Sequence, residues 1–244
     1  MAPVGPPDGE PEQVLTRDEL REDVARLVGW DDEARAEHAL RAVRLAASYQ
    51  AALVLCGESD LVPVARWLHR RALGDRPFVL WGPVRRATGD GTSTSVADAA
   101  TGGTVCLRTT RLPRDFAELV AAVRVARVQL VLCGQQPPRL TELVLAPIKI
   151  PALATRTHEI DRIIDAYAHD AMATLRISTA LADADRRWVR AHSATALPEV
   201  EKGAWRVLAL RHAGNVARAA ELLGMSHAAL GEWLKHRRQK RGAR

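Results

Sequence analysis

The sequence predicts an α/β fold in which a parallel β-sheet is followed by an all-helical C-terminal region. Four short apolar runs, at residues 52–56, 78–81, 104–107 and 128–133, are rich in β-forming residues and bounded by turn signals. Buried parallel strands usually have this pattern. Helical periodicity lies between them, at residues 61–73 and 115–125. Strands that alternate with helices are typical of a parallel sheet covered by helices.

The segments before the first strand divide into a polar leader and two helices. Residues 1–15 are rich in proline, glycine and acids, and we expect them to be disordered. Thr16 and Glu19 have the spacing of a helix-capping box. The helical pattern that follows is interrupted at residues 29–32, which predicts two helices.

The later segments complete the predicted domain plan. Residues 85–103 form a glycine-, serine- and threonine-rich stretch that predicts a loop. After about residue 150 the strands stop, and helices are predicted at 159–174, 183–192 and 199–212. The plan is therefore an α/β domain at 16–150, a helical region at 151–198 and a terminal module at 199–244.

Composition excludes several classes of protein. The 244 residues are 47% hydrophobic and 26% charged, as in a soluble globular protein. No apolar run approaches the roughly 18 residues that a membrane span needs, and no secretory signal is recognisable. We therefore expect a cytoplasmic protein without a membrane partner. Cys56, Cys106 and Cys133 lie in apolar contexts and are odd in number, which predicts buried, inert thiols rather than a disulfide framework or a zinc site.

The terminal module has the signals of three short helices. Gly214 fits the left-handed position that ends a helix, and Asn215 can cap the next one. Gly224 predicts a tight turn, and Ser226 caps a third helix. The residues predicted to face inward are Val216, Ala219, Ala220, Leu223, Met225, Ala229, Leu230, Trp233 and Leu234. Small residues where helices cross, followed by glycine in the turn, are what a helix-turn-helix requires.

This segment resembles the Fis-type helix-turn-helix over roughly forty residues. The shared pattern is Gly-Asn at 214–215, Ala-Ala at 219–220, Leu-Gly-Met at 223–225, and leucines at 230 and 234. The resemblance implies binding to double-stranded DNA by a homodimer, with half-sites about one helical turn apart.

Charge supports a polyanionic partner. The whole chain carries +6, whereas residues 201–244 alone carry +7, so the remainder is close to neutral. A basic module on a neutral body is typical of a localised nucleic-acid site.

The predicted recognition helix runs from Ser226 to about Arg237. The candidate DNA-binding residues are Asn215, Ser226, His227, Ala228, Gly231, Glu232, Lys235, Arg237, Arg238, Lys240 and Arg241. The cations from Lys235 onward are predicted to contact mainly phosphates. Glu232 can accept from a cytosine amine or face solvent. No arginine, asparagine or glutamine occupies the first helical positions, so we expect modest sequence specificity and a contribution from DNA shape.

The α/β body resembles the AAA+ domain of the sigma-54-dependent enhancer-binding activators of bacteria, whose members often end in a Fis-type module. The residues that carry the resemblance are 53–59 with 64–70, then 76–79, 102–107 and 148–160. It spans roughly residues 35–240. It implies an AAA+-like parallel sheet sandwich, with residues 151–198 as an all-α lid remnant.

The departures from that family fall in its nucleotide site. A phosphate loop needs a second glycine, a lysine and a serine or threonine, but here Gly57 leads directly into Asp60. The Walker B strand ends in Arg108 and Thr109 instead of two acids. Residues 140–147 contain no arginine finger, and Pro198 aligns with the sensor arginine. The sigma-factor-contacting loop is also missing. The body is therefore expected to be a degenerate, catalytically dead scaffold, with no enzymatic activity and no cofactor.

Other candidate sites are weaker. His158, Glu159 and Asp161 are interpreted as the start of a helix rather than as metal ligands, and Ser59 has no identifiable base. Residues 89–91 are interpreted as a turn.

The leading hypothesis is a nucleoid-associated, DNA-binding transcriptional regulator whose body serves dimerisation or the binding of other transcription regulators. Two alternatives remain open at this point. One is a pseudo-ATPase that joins and modulates intact sigma-54 activators, and the other is an NTPase with a rewired site.

Overall fold

The computed structural model describes residues 17–48, 51–82, 93–141 and 143–242, and the side chains of Arg17 and residues 238–242 are not part of this description. The predictions for residues 1–15, for the Thr16 cap and for a turn at 89–91 lie outside the described residues. The described strands are β1 (Ala52–Cys56), β2 (Phe78–Trp81), β3 (Thr104–Arg108), β4 (Gln129–Gly134) and β5 (Leu145–Lys149).

The described helices are α1 (Arg17–Val28), α2 (Glu33–Ala47), α3 (Val62–Leu73), α4 (Ser93–Ala99), α5 (Phe116–Val125), α6 (Ile160–Leu175), α7 (Asp183–Ser193), α8 (Leu197–Ala213), α9 (Val216–Leu222) and α10 (His227–Gly242). Short 3-10 turns occur at Thr109–Arg111, Leu153–Thr155 and Thr157–Glu159. No helix in the described ranges is both long and apolar enough to cross a membrane.

The strands form one parallel sheet in the order β2-β3-β4-β1-β5. The central strand β1 aligns Leu53 with Val131 of β4 and with Ala146 of β5. All five residues of β1 are buried, because helices cover both faces of the sheet. The predicted α/β class and the four predicted strands are confirmed.

The two faces of the sheet belong to different clusters of buried side chains. One face belongs to a cluster that also includes residues of α1, α2, α3, α6, α7 and α8, and its strand residues are Leu53, Leu55, Cys106, Val131, Cys133, Ala146 and Ile148. The other packs against α4 and α5, and its strand residues are Ala52, Val54, Cys56, Val105, Leu107, Leu130 and Leu132. The alternation along each strand follows from the two-residue period of a β-strand.

The fifth strand is where the sequence reading was wrong. Four strands are predicted from the sequence and none of them lies at residues 140–149, yet Leu145–Lys149 pairs with β1 at the end of the sheet. Pro147 has no N–H to donate, and such a residue is tolerated on an edge strand because only one side is paired. Its carbonyl lies 3.0 Å from Nε2 of His38 on α2.

Helix α4 was also missed, because residues 85–103 were predicted as a loop. Ser93 begins the helix, and its hydroxyl donates to the carboxylate of Asp115. The buried residues Ala97 and Ala100 are too small to give a clear apolar period in the sequence.

All three cysteines are free and buried, as predicted. The sulfurs of Cys106 and Cys133 lie 3.7 Å apart on neighbouring strands. Burial raises the pKa of the Cys56 thiol, and that of Cys133 is raised mainly by its contact with Cys106. These thiols are therefore poor nucleophiles at neutral pH.

The C-terminal helices continue from the body without a gap in packing. Helix α8 packs against α6 and α7. At the crossing with α7, a Cβ on Gly203 would lie 2.7 Å from Oγ of Ser193, so only glycine fits there. Helix α8 is thus held by the body along its first half and leads into α9 and α10 at its end.

Candidate nucleic-acid interface

The end of α8 is shaped by two neighbouring residues. Gly214 has a φ of 71°, in the left-handed region, and its N–H donates to the carbonyl of Leu210. The side chain of Asn215 accepts from the backbone N–H of Arg218 at 2.9 Å and so caps α9. Both roles agree with the sequence prediction.

The turn between α9 and α10 is equally defined. Gly224 has a φ of 59°, and the N–H of Met225 donates to the carbonyl of Ala220 at 3.0 Å. Oγ of Ser226 accepts from the N–H of Ala229 at 3.2 Å and caps α10. The turn therefore spans residues 223–226 and starts α10 in a fixed direction.

A small core holds the three helices together, and it consists of Ala209, Ala219, Ala220 and Leu230, each no more than 2% exposed. Val216, Leu223 and Met225 pack around it, as predicted. Ala229 was predicted to face inward but is exposed. Leu230 and Trp233 define the inner side of α10, and Ala229 lies about 100° around the helix from Leu230.

The outer side of α9 and α10 is exposed and mostly polar, and its residues are Arg218, Ser226, His227, Ala228, Ala229, Glu232, Lys235 and His236. Of the predicted DNA-binding residues, Asn215 and Ser226 are exposed but use their side chains as caps. Gly231 is half-buried. Glu232 lies 3.3 Å from Nζ of Lys235 and 3.5 Å from the ring of His236.

Arg237 does not lie on this outer side. Its side chain is 11% exposed and donates to Asp185 of α7 at 2.6 Å. The guanidinium also lies over the rings of Trp188 and Trp233, at 4.8 and 5.9 Å from their centroids. The predicted phosphate contact by Arg237 is therefore replaced by an intramolecular one. Arg238, Lys240 and Arg241 lie within α10, but their side chains are not among those that the structure describes.

The loop after β1 holds an ion pair where the sequence analysis sought a phosphate site. Oδ1 of Asp60 accepts from the N–H of Val62 at the start of α3 at 3.2 Å. Its other oxygen accepts from Arg108, at the end of β3, at 2.9 Å. A helix N-terminus attracts anions through its free N–H groups. Here the chain's own carboxylate takes that position, and Pro63 removes one donor.

Three side chains near the start of α6 lie close enough together to hold a metal ion. They are Asp31, His158 and Glu159, whose ligand atoms lie within 4.8 Å of one another. However, the Glu159 carboxylate already accepts from the N–H of Trp30 at 2.9 Å and from Nε of Arg156 at 2.7 Å. The Arg156 guanidinium would oppose a cation at this position. The geometry agrees with the interpretation of this segment as the start of a helix, since α6 begins at Ile160.

Two ion pairs whose carboxylates are largely buried join α8 and α1 to α3, and they were not predicted from the sequence. Arg70 of α3 donates to Glu201 at 3.2 Å, and Arg71 donates to Asp23 of α1 at 2.7 Å. Burial raises the pKa of both carboxyl groups above their usual range, and the arginines offset part of that effect. The two arginines border a cleft of about 400 Å³ between α3, α6 and α8.

Comparison with known proteins finds only distant similarity to solved structures. No protein-family model matches the chain, and no curated protein matches it. Among solved structures, NtrX from Brucella abortus in complex with ATP is similar, with a TM-score of 0.45 and 17% identity over 88% of this chain and 71% of the other. The ADP complex of the same protein gives a TM-score of 0.46 and 15% identity over 90% and 72% of the two chains. Likeness at this level assigns no family.

Proposed function

We propose that this chain is a DNA-binding transcriptional regulator whose helices α8, α9 and α10 form a helix-turn-helix. The observation that carries the proposal is the arrangement of α9 and α10. A left-handed glycine, an asparagine cap, a glycine turn and a serine cap join these helices in sequence around a core of alanines. In a helix-turn-helix the second of two such helices enters the major groove.

Charge and exposure support the same assignment. The outward start of α10 carries Ser226, His227 and Ala228, which are small or polar and can approach DNA closely. Arg218 and Lys235 flank it with exposed cations that suit phosphates. The net charge of +7 on residues 201–244 provides the long-range attraction.

The α/β body is proposed to be a degenerate AAA+-like scaffold that does not transfer phosphoryl groups. Phosphoryl transfer depends on cations and metal-holding acids placed around the phosphates. The Asp60–Arg108 pair instead puts a carboxylate at the start of α3 and an arginine at the end of β3. A scaffold of this kind would serve dimerisation or the binding of another regulator.

Fluorescence anisotropy of the full chain on a labelled duplex tests the DNA-binding proposal. Lys235→Gln should weaken binding several-fold at low salt and reduce the salt slope by about 0.9, because one phosphate contact is lost. Lys149→Gln is the matched control, since Lys149 is exposed on β5 and distant in sequence from the proposed interface. A wild-type chain that fails to bind duplex DNA at low salt would overturn the proposal.

A further inference from the structure

The helix proposed to read DNA is held by a helix outside the helix-turn-helix. Asp185, in the first turn of α7, accepts from Arg237 of α10 at 2.6 Å with one carboxylate oxygen. Its other oxygen accepts from Nε and Nη2 of Arg211 on α8, at 3.0 and 2.8 Å. The side chains of Asp185 and Arg237 are only 10% and 11% exposed, so the charge-assisted bond between them is largely shielded from water, whereas the Arg211 side chain is 43% exposed.

Aromatic contacts reinforce this junction. Trp188 of α7 and Trp233 of α10 meet edge to face, with centroids 5.3 Å apart and planes at 78°. The Arg237 guanidinium lies over both rings, and Arg206 of α8 lies 5.5 Å from the Trp233 centroid. Edge-to-face rings and a guanidinium above them have preferred distances and orientations, so these contacts restrict how α10 can lie against α7. We call Asp185, Trp188, Arg211, Trp233 and Arg237 the Asp185 clamp.

The clamp matters because the core within the three C-terminal helices is small. Three of its four fully buried residues are alanines, which offer little surface to interlock. The clamp adds a second attachment for α10, and Leu175 of α6 adds a contact to the same core. The direction of α10 is thus set by α6 and α7 as well as by α9.

We propose that Asp185 is a positioning residue for DNA binding, so that the functional DNA-binding unit begins at α7 rather than near residue 199. This inference rests on the proposed function. Without the carboxylate, Arg211 and Arg237 lose their shared acceptor and α10 samples other orientations. The apparent dissociation constant then rises in inverse proportion to the fraction of molecules that remain competent to bind.

Asp185→Asn in the full chain tests this inference, with affinity for a duplex measured across a salt series. The expected result is a loss of affinity of about tenfold at every salt concentration with an unchanged salt slope, and a loss of that size corresponds to about a tenth of the molecules keeping α10 in place. Asp185→Glu should restore part of the affinity. Asp165→Asn is the matched control, because Asp165 pairs with Arg186 at 2.9 Å on the surface and is half-exposed. That control should bind DNA like the wild type.

Two results of the affinity measurements would overturn the positioning role. One is unchanged affinity in Asp185→Asn, and the other is a gain in affinity with a salt slope steeper by about 0.9, which would mean that freed Arg237 binds a phosphate.

Hydrogen exchange separates positioning from general destabilisation. Amides of α10 should exchange faster in Asp185→Asn while those of β1 and β4 do not, and faster exchange throughout the sheet would contradict the inference. If the wild type binds no duplex, the proposed function fails and Asp185 has no role in DNA binding. If the amides of α10 exchange at the same rate in Asp185→Asn as in the wild type, Asp185 does not hold α10 in place, whatever the DNA-binding result.

Discussion

Asp60, after β1, and Arg108, at the end of β3, form an ion pair of 2.9 Å at the carboxyl edge of the sheet. Ligands of parallel α/β sheets bind outside the carboxyl ends of the strands. The pair therefore occupies the region where a nucleotide phosphate would have to lie.

The first prediction is that MgATP does not stabilise the protein. Asp60 would repel the phosphates, and its carboxylate already accepts from the N–H of Val62. Differential scanning fluorimetry with millimolar MgATP should show no shift in Tm. A ligand at a hundred times its Kd would stabilise by about 2.7 kcal/mol, so a Tm that rises with nucleotide concentration would contradict the account.

The second prediction concerns the two turn glycines. Gly214 and Gly224 have φ values of 71° and 59°, and nothing lies within 4 Å of a Cβ placed on either one. Alanine there should cost about 1 kcal/mol of unfolding free energy from backbone strain alone. Gly231 is helical without a positive φ and has equally open space. Gly231→Ala should therefore stabilise by about 0.5–1 kcal/mol. Thermal denaturation of all three variants checks the difference in sign, and destabilisation by Gly231→Ala would contradict it.

The third prediction tests the small core of the C-terminal helices. Ala220→Leu adds three carbons at a site that is 2% exposed, and overpacking of this kind costs about 1–3 kcal/mol. Binding to duplex DNA should fall with it. Ala217→Leu on the same helix is the control, since Ala217 is exposed. Equal binding and equal stability of the two variants would show that α9 packs differently.

The fourth prediction is a pH dependence from Glu201. Burial raises the pKa of this carboxyl, so the folded state binds its proton more tightly than the unfolded state does. The free energy of unfolding therefore falls as pH rises from the unfolded value of about 4.3 through the folded pKa. Glu201→Gln should weaken this fall and leave stability at pH 7 equal or higher, since Arg70 is half-exposed and stays solvated.

Chemical denaturation at several pH values measures the Glu201 effect. Glu199→Gln, on an exposed residue of the same helix, is the control and should change neither stability nor its pH dependence. A Glu201→Gln variant that loses stability most strongly at neutral pH would mean that the ion pair with Arg70 outweighs desolvation.

The sequence was sufficient to predict the strands that are buried along nearly their whole length and the caps of α9 and α10. The four apolar runs stand out because parallel strands are covered on both faces, and the caps at Asn215 and Ser226 are local chemistry that spacing alone reveals. Strand β5 was missed because Pro147 and Lys149 interrupt its apolar character. Helix α4 was missed because its buried residues are small.

The Asp185 clamp could not be predicted, because it joins residues 52 positions apart. Arg237 looks like any other cation of a basic tail in the sequence. Only the packing of α7 against α10 turns it inward, toward Trp188 and Asp185. The tryptophans at 188 and 233, in two helices rich in charged residues, were the one available signal.

The central claim, that the outer side of α10 contacts duplex DNA, is tested most directly by site-specific cross-linking. Ala228→Cys places a thiol on the exposed start of α10, and the three native cysteines are buried, so a benzophenone reagent should label the new site selectively. The account predicts covalent cross-links to a bound duplex from position 228 and none from Ala117→Cys, which lies exposed on α5. Cross-links from position 117 but not from 228, on DNA that the protein demonstrably binds, would contradict it.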